Sequence, residues 1–192
     1  MIKINRPICP NTGSLASGNY KHPDNKAALL EVSHNKCVYC ESIFSHVDFG
    51  DVEHIKPKSK YPQETFVWEN LGIVCRRCNH EKSDKYDESA PYINPYSEDP
   101  EDHIAIFGSI LSQKKGSERG QLTILDIGLN RLDLIEKRKQ KQNDIEKAIS
   151  DCFKTKNQKL KAAAIKSLLE EATSDKEYSL LIKTLFKVHS LL

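Results

Sequence analysis

Hydrophobic and polar positions change rhythm along the chain, and each change predicts a different kind of element. Residues 1–23 are rich in Asn, Pro, Gly and Ser and carry neither a helical nor a strand period, so they read as an irregular arm. Asp24 is a good cap, and Ala27, Leu29 and Leu30 give the short helix it opens an inward face. The stretch from Ser45 to Lys60 fits two short strands turned at Phe49-Gly50-Asp51, with Pro57 stopping the pairing. Phe66-Val67-Trp68-Glu69-Asn70-Leu71 is a compact apolar turn suited to pack on that hairpin, and Asn79 to Tyr86 reads as a short polar helix. Prolines forbid a regular helix through Pro91-Tyr92-Ile93-Asn94-Pro95-Tyr96.

Residues 108–120 contain three glycines and three serines and read as a linker between two units. From Gln121 onward the period is helical. Asn130 is placed to cap a helix with Leu132, Ile135, Ile145 and Ile149 on one face, and Leu160, Ala164, Ile165 and Leu168 continue as a second. Ser174-Asp175-Lys176-Glu177 has the form of a capping box opening a last helix, with Leu181, Ile182, Leu185 and Val188 inward. The fold class expected is α+β: a small core over 24–107, the linker, and a helical region over 121–192.

A hydrophobic content of 38% against 29% charged residues is globular but on the polar side, which favours a modest core with solvated helices. The net charge of +2 excludes a molecule that is basic throughout, so any polyanion site must come from local clustering. Between Asp87 and Asp102 there are six acidic residues and no basic ones, a solvated loop or a docking surface for a basic partner. No basic-plus-apolar leader precedes Pro7 and no stretch approaches the ~18 apolar residues of a membrane span, so a cytoplasmic setting is expected. Thiols stay reduced there.

In that setting the cysteines change the picture. Cys37-Val38-Tyr39-Cys40 and Cys75-Arg76-Arg77-Cys78 are two C-x-x-C knuckles, which together supply the four sulfurs of a closed structural zinc site. Cys9 and Cys152 are left over, a loop thiol and a helix core residue. The inner cysteines are separated by thirty-four residues, more than the ~15–20 of a plain ribbon, so the excess is a structured insert. It contains Asp51-Val52-Glu53-His54-Ile55-Lys56-Pro57. A carboxylate beside a histidine can bind a hard cation and activate water, although neighbours on an ideal strand face opposite ways, so the pair requires a bent strand end. Lys56, Lys58 and Lys60 alternate, so an extended segment puts all three on one face. With Arg76 and Arg77 they form a candidate phosphate track.

Asp51–Pro57, Trp68-Glu69-Asn70-Leu71 and Cys78-Asn79-His80-Glu81-Lys82-Ser83-Asp84 resemble, in order and spacing, the three elements of an HNH endonuclease of the ββα-metal class. The resemblance implies that His54 is the general base, that Glu53 ligates a catalytic Mg²⁺ or Mn²⁺, and that Asn70 buttresses the loop. It also implies a second ligand at the start of the third element, Asn79 or the adjacent His80. Tyr20-Lys21-His22-Pro23-Asp24-Asn25-Lys26 and Ile93 to His103 are similar to the nuclease subunit of Septu-type and retron-associated anti-phage systems. That similarity implies an ATPase subunit as partner and a DNA substrate. RNA, including tRNA, with the same site is the alternative, and a zinc-ribbon interaction module without catalysis is the reading from another class.

Overall fold

The computed structural model describes residues 1–44 and 48–192, and its element order is governed by where the two knuckles meet. After a short helix α1 (Thr12–Ala16), helix α2 (Pro23–Val32) carries the chain to the first knuckle. Strand β1 (Asp51–His54) then runs antiparallel to β2 (Leu71–Val74), and α3 (Arg76–Lys82) follows at once. The register pairs Asp51 with Val74 and His54 with Leu71. This ββα unit is joined to a second two-stranded sheet, β3 (Ile104–Phe107) with β4 (Ile110–Gln113), and to helices α4 (Glu118–Asp126), α5 (Leu132–Lys154), α6 (Gln158–Glu170) and α7 (Ser179–Val188). The class is α+β, as expected.

Of the hairpin expected within 45–60, only the second strand can be followed, and it pairs with β2. Residues 45–47 lie outside the described residues, β1 finds its partner sixteen residues beyond its own end at β2, and 57–61 close a turn on the Pro57 carbonyl. Gly50 does mark the bend into β1: its φ is 68°, and a Cβ there would meet the Phe44 ring at 2.9 Å. Regular structure reaches into the 108–120 stretch. Gly108 (φ 56°) and Ser109 make the two-residue loop of the β3–β4 hairpin, where a left-handed residue matches strand twist, and Ser117 caps α4.

The N-terminal stretch is latched rather than loose. Met1, Ile2 and Ile4 are buried, the Ile4 amide donates to the Pro95 carbonyl, and Asn11 caps α1. Arg6 donates to the carbonyls of Trp68 and Leu71 and lies 4.0 Å over the Tyr96 ring. Such contacts have no sequence period, which is why the segment reads as irregular.

Helix faces shift by a residue or two from those expected. In α2, Leu29 and Asn25 are fully buried and Ala27 is exposed. In α5 the buried stripe is Leu134, Arg138, Ile145, Ile149 and Cys152, while Leu132 stands out. Arg131 is its cap residue; Asn130 instead exchanges hydrogen bonds with the backbone of Leu111. The capping box at 174–177 is not made, because Glu177 accepts from the Ile43 amide, and α7 starts later with Val188 exposed. The acidic stretch is partly paired by residues beyond it. Glu98 is paired by Arg119 and His103, and Asp99 caps the turn that follows. Among the described residues no helix is long and apolar enough to cross a membrane.

Arg138 ties the helical region to the rest. It is 2% exposed and donates to the carbonyls of Ser109, 2.7 Å away, and Leu129. Replacing it with leucine leaves the buried Leu129 carbonyl and the half-buried Ser109 carbonyl without this donor, at about 1–3 kcal/mol each. Arg138→Leu should therefore lower unfolding free energy by about 2–5 kcal/mol in a urea titration.

Candidate active site

The first pair of sulfurs is presented by a tight turn. The Cys37 amide donates to Ser42, the Glu41 amide to Cys37, and Glu41 takes φ 63°. The second pair belongs to α3: Cys75 is its cap residue, and its Sγ accepts from the Cys78 amide at 3.4 Å. All four Sγ atoms lie within 4.8 Å of one another, and Cys40 and Cys75 are 3.9 Å apart. A tetrahedron with Zn–S bonds of ~2.3 Å has edges of about 3.8 Å, so the Cys40–Cys75 edge already matches and no other exceeds it by more than about 1 Å. Arg131 Nη1 lies 3.4 Å from Cys78 Sγ. Burial alone would lower that guanidinium, but the Cys78 sulfur raises it on balance, so it stays charged beside an electron-rich cluster.

β1 ends at the mouth of a cleft of about 410 Å³ lined by Asp51, Glu53, His54, Lys58, Asn79 and Tyr20, among others. Glu53 and His54 point different ways, as strand neighbours must, yet both reach this cleft because the strand stops at His54. Glu53 is buried; one oxygen accepts from the Tyr39 hydroxyl and the other lies 3.1 Å from Lys82 Nζ. Burial, and then the Glu53 carboxylate, push the Tyr39 phenol well up, so it remains a donor.

His54 Nε2 lies 2.9 Å from the Thr65 carbonyl. A carbonyl can only accept, so Nε2 carries the proton and Nδ1 keeps its lone pair. The ring is packed edge-on to Tyr20 at 4.6 Å, and burial holds its pKa below the usual imidazole value, favouring the neutral form. Asn70 is the buttress of the loop between: its Oδ1 accepts from the Lys56 amide at 2.8 Å, and its Nδ2 donates to the carbonyls of Lys56 and Glu64.

Asn79 Nδ2 donates to Asp51 Oδ2 at 3.0 Å, which commits the amide nitrogen and leaves its oxygen as an acceptor. His80 is exposed and does not line the cleft. Two carboxylates and an amide oxygen suit a hard cation that keeps several waters. They do not form a cage; the cysteines are the one cluster of three or more His, Cys, Asp or Glu ligand atoms among the described residues.

Residues 37–85 match the HNH endonuclease family, from the first knuckle through α3. The chain carries an HNH endonuclease domain. It is also 40% identical over 147 residues to the Septu protein PtuB of Bacillus thuringiensis, covering 69% of this chain and 56% of the relative. A second Septu protein PtuB, from Bacillus mycoides strain KBAB4, is 29% identical over 158 residues, covering 66% of this chain and 54% of the relative. The chain thus spans about half the length of the curated relatives it matches.

The cations around the HNH domain sit in different local settings. The turn at 57–61 breaks the extended geometry on which the alternation relied. Lys56 pairs with Glu64 at 2.7 Å, Lys58 reaches the Tyr20 hydroxyl at the cleft, and Lys60 is exposed. Arg76 and Arg77 are exposed at the start of α3, with Arg77 3.8 Å from Asp133. Asp51, Tyr20, Tyr39, Lys82 and Arg131 had no role assigned from the sequence. Asp51 was within reach, since it stands two residues from Glu53 on the same strand; the other four meet the site only through tertiary contacts.

Two outcomes check this geometry. Metal analysis of the purified chain should return about one tightly held zinc per chain, and Cys78→Ser should lower both zinc content and Tm. Asn70→Ala should cost about 1–3 kcal/mol in denaturant unfolding, because the half-buried Lys56 amide loses its acceptor; an unchanged midpoint would remove the buttress.

Proposed function

We propose that the chain is a metal-dependent endonuclease that hydrolyses phosphodiester bonds in DNA, and that it serves as the nuclease effector of an anti-phage defence complex with an ATPase partner. The observation that carries the chemistry is a single cleft into which His54 brings an imidazole with a free Nδ1, beside the oxygens of Glu53, Asp51 and Asn79. The setting and the partner rest on the resemblance to Septu-type systems.

Glu53 and Asn79, with Asp51, would hold a Mg²⁺ or Mn²⁺ ion. When bound, such a cation supplies charge stabilisation at the phosphate and at the departing oxygen. His54 Nδ1 accepts a proton from a water aimed at phosphorus, help worth roughly 10²–10⁴-fold. The Thr65 carbonyl keeps the imidazole in the tautomer that can do so. Asn70 fixes the loop from Lys56 to Glu64, and with it Thr65, the next residue. Lys58 at the rim and the exposed Lys60, Arg76 and Arg77 meet the phosphodiester backbone, so binding weakens as salt rises. The cysteine cluster, filled by zinc, is structural, because four sulfurs leave no position for substrate.

The test is cleavage of a supercoiled plasmid and of a tRNA pool, with Mg²⁺ or Mn²⁺, by the chain alone and with its co-purified partner. His54→Ala should reduce cleavage by about 100-fold or more with the chain still folded and its zinc content unchanged. Cleavage at the wild-type rate by His54→Ala would remove the general base, and cleavage of the tRNA alone would move the substrate to RNA.

A further inference from the structure

The floor of the cleft holds a charge that the proposed reaction leaves unused. Lys82, on the last turn of α3, is 1% exposed. Its ammonium donates to the His54 carbonyl at 2.7 Å and stands 3.1 Å from Glu53, which is itself 3% exposed. Lysine normally extends its stem to keep the ammonium in water, so a fully buried one requires a partner that recovers its lost hydration. Glu53 is that partner, with Tyr39 closing the carboxylate's other oxygen and the Tyr92 ring 6.0 Å from Lys82 Nζ.

We propose that Lys82 is an internal counter-ion which Glu53 shares with the divalent cation. It keeps the carboxylate oriented and balanced while no cation is bound, and it lowers the cleft's affinity for that cation. The inference deepens the nuclease reading and rests on its assignment of Glu53 as a cation ligand. The physical ground is direct. An ammonium and a dication drawn to one carboxylate repel each other, and the buried setting offers little water to screen them. Coupling between two such binding events is reciprocal and usually spans about 5- to 150-fold in affinity. A lysine that served only to tie α3 to β1 through the His54 carbonyl would contribute to stability and leave cation affinity unchanged.

The experiment is Mn²⁺ binding followed by electron paramagnetic resonance on the zinc-loaded full chain, comparing wild type, E53Q and K82M without nucleic acid. E53Q should bind Mn²⁺ more weakly than wild type, and K82M should bind it about tenfold more tightly. K82M at wild-type affinity, with E53Q weakened, overturns the counter-ion and leaves the nuclease reading standing. E53Q at wild-type affinity removes Glu53 from the cation and overturns both. A second variant keeps the test open if K82M does not fold. K82Q retains a donor for the His54 carbonyl without the charge, and it should also bind Mn²⁺ about tenfold more tightly. K82Q at wild-type affinity overturns the proposal.

Discussion

Four sulfurs within 4.8 Å of one another tie the turn after α2 to the first residues of α3, and the rest of the molecule is arranged around that tie. A segment of thirty-four residues leaves the cluster and must return to it. β1 and β2 are consequently antiparallel and adjacent although sixteen residues separate them, and α3 is started by a ligand's own side chain acting as its cap. Each part of the ββα unit inherits its position from the cluster. Arg131, delivered from just before α5, places a positive charge against the sulfurs and links the helical region to the same point.

The cleft follows from where β1 ends. On a continuous strand Glu53 and His54 would serve two separate faces. Here Glu53 is received by Tyr39 from the first knuckle and by Lys82 from α3, while His54 turns toward the loop that Asn70 holds. The carboxylate and the imidazole thus belong to two hydrogen-bond systems, each fixed from a different direction, that meet at one opening. Burial acts on both: it keeps the imidazole neutral, and it requires Glu53 to have a permanent cationic neighbour.

Arginine does much of the joining elsewhere. Arg6 holds the N-terminal stretch to β2, Arg119 holds the acidic stretch through Glu98, and Arg138 holds the turn between β3 and β4. Two of the three act mainly on backbone carbonyls, which a planar, multiply donating group can reach together. The result is one continuous buried cluster running from Met1 to Phe186 across regions that differ in composition.

The two knuckles were legible in the sequence from the spacing of their cysteines, whereas Asn70 and Asn79 were reached only through the resemblance of their motifs to HNH endonucleases; the fold brings Asn79 to the cleft and Asn70 to the loop beside it. Most helices were legible in position, but α1 falls in a stretch that reads as irregular and α4 begins inside the expected linker. Faces moved as well: α5 turns Arg138 and Leu134 inward in place of Leu132, since its neighbours and not its own period choose the buried side. The pairing of β1 was not legible, because a four-residue strand carries too little pattern to name a distant partner, and the sulfur cluster supplies that information only when closed. Nor were Tyr39 and Lys82 as partners of Glu53, or Tyr20 against His54. By itself the sequence determined which chemistry the chain can present, because that depends on side-chain type and local spacing. Only the tertiary structure decided which charges are buried together and which face the opening, because burial and proximity depend on chain segments that no local pattern relates.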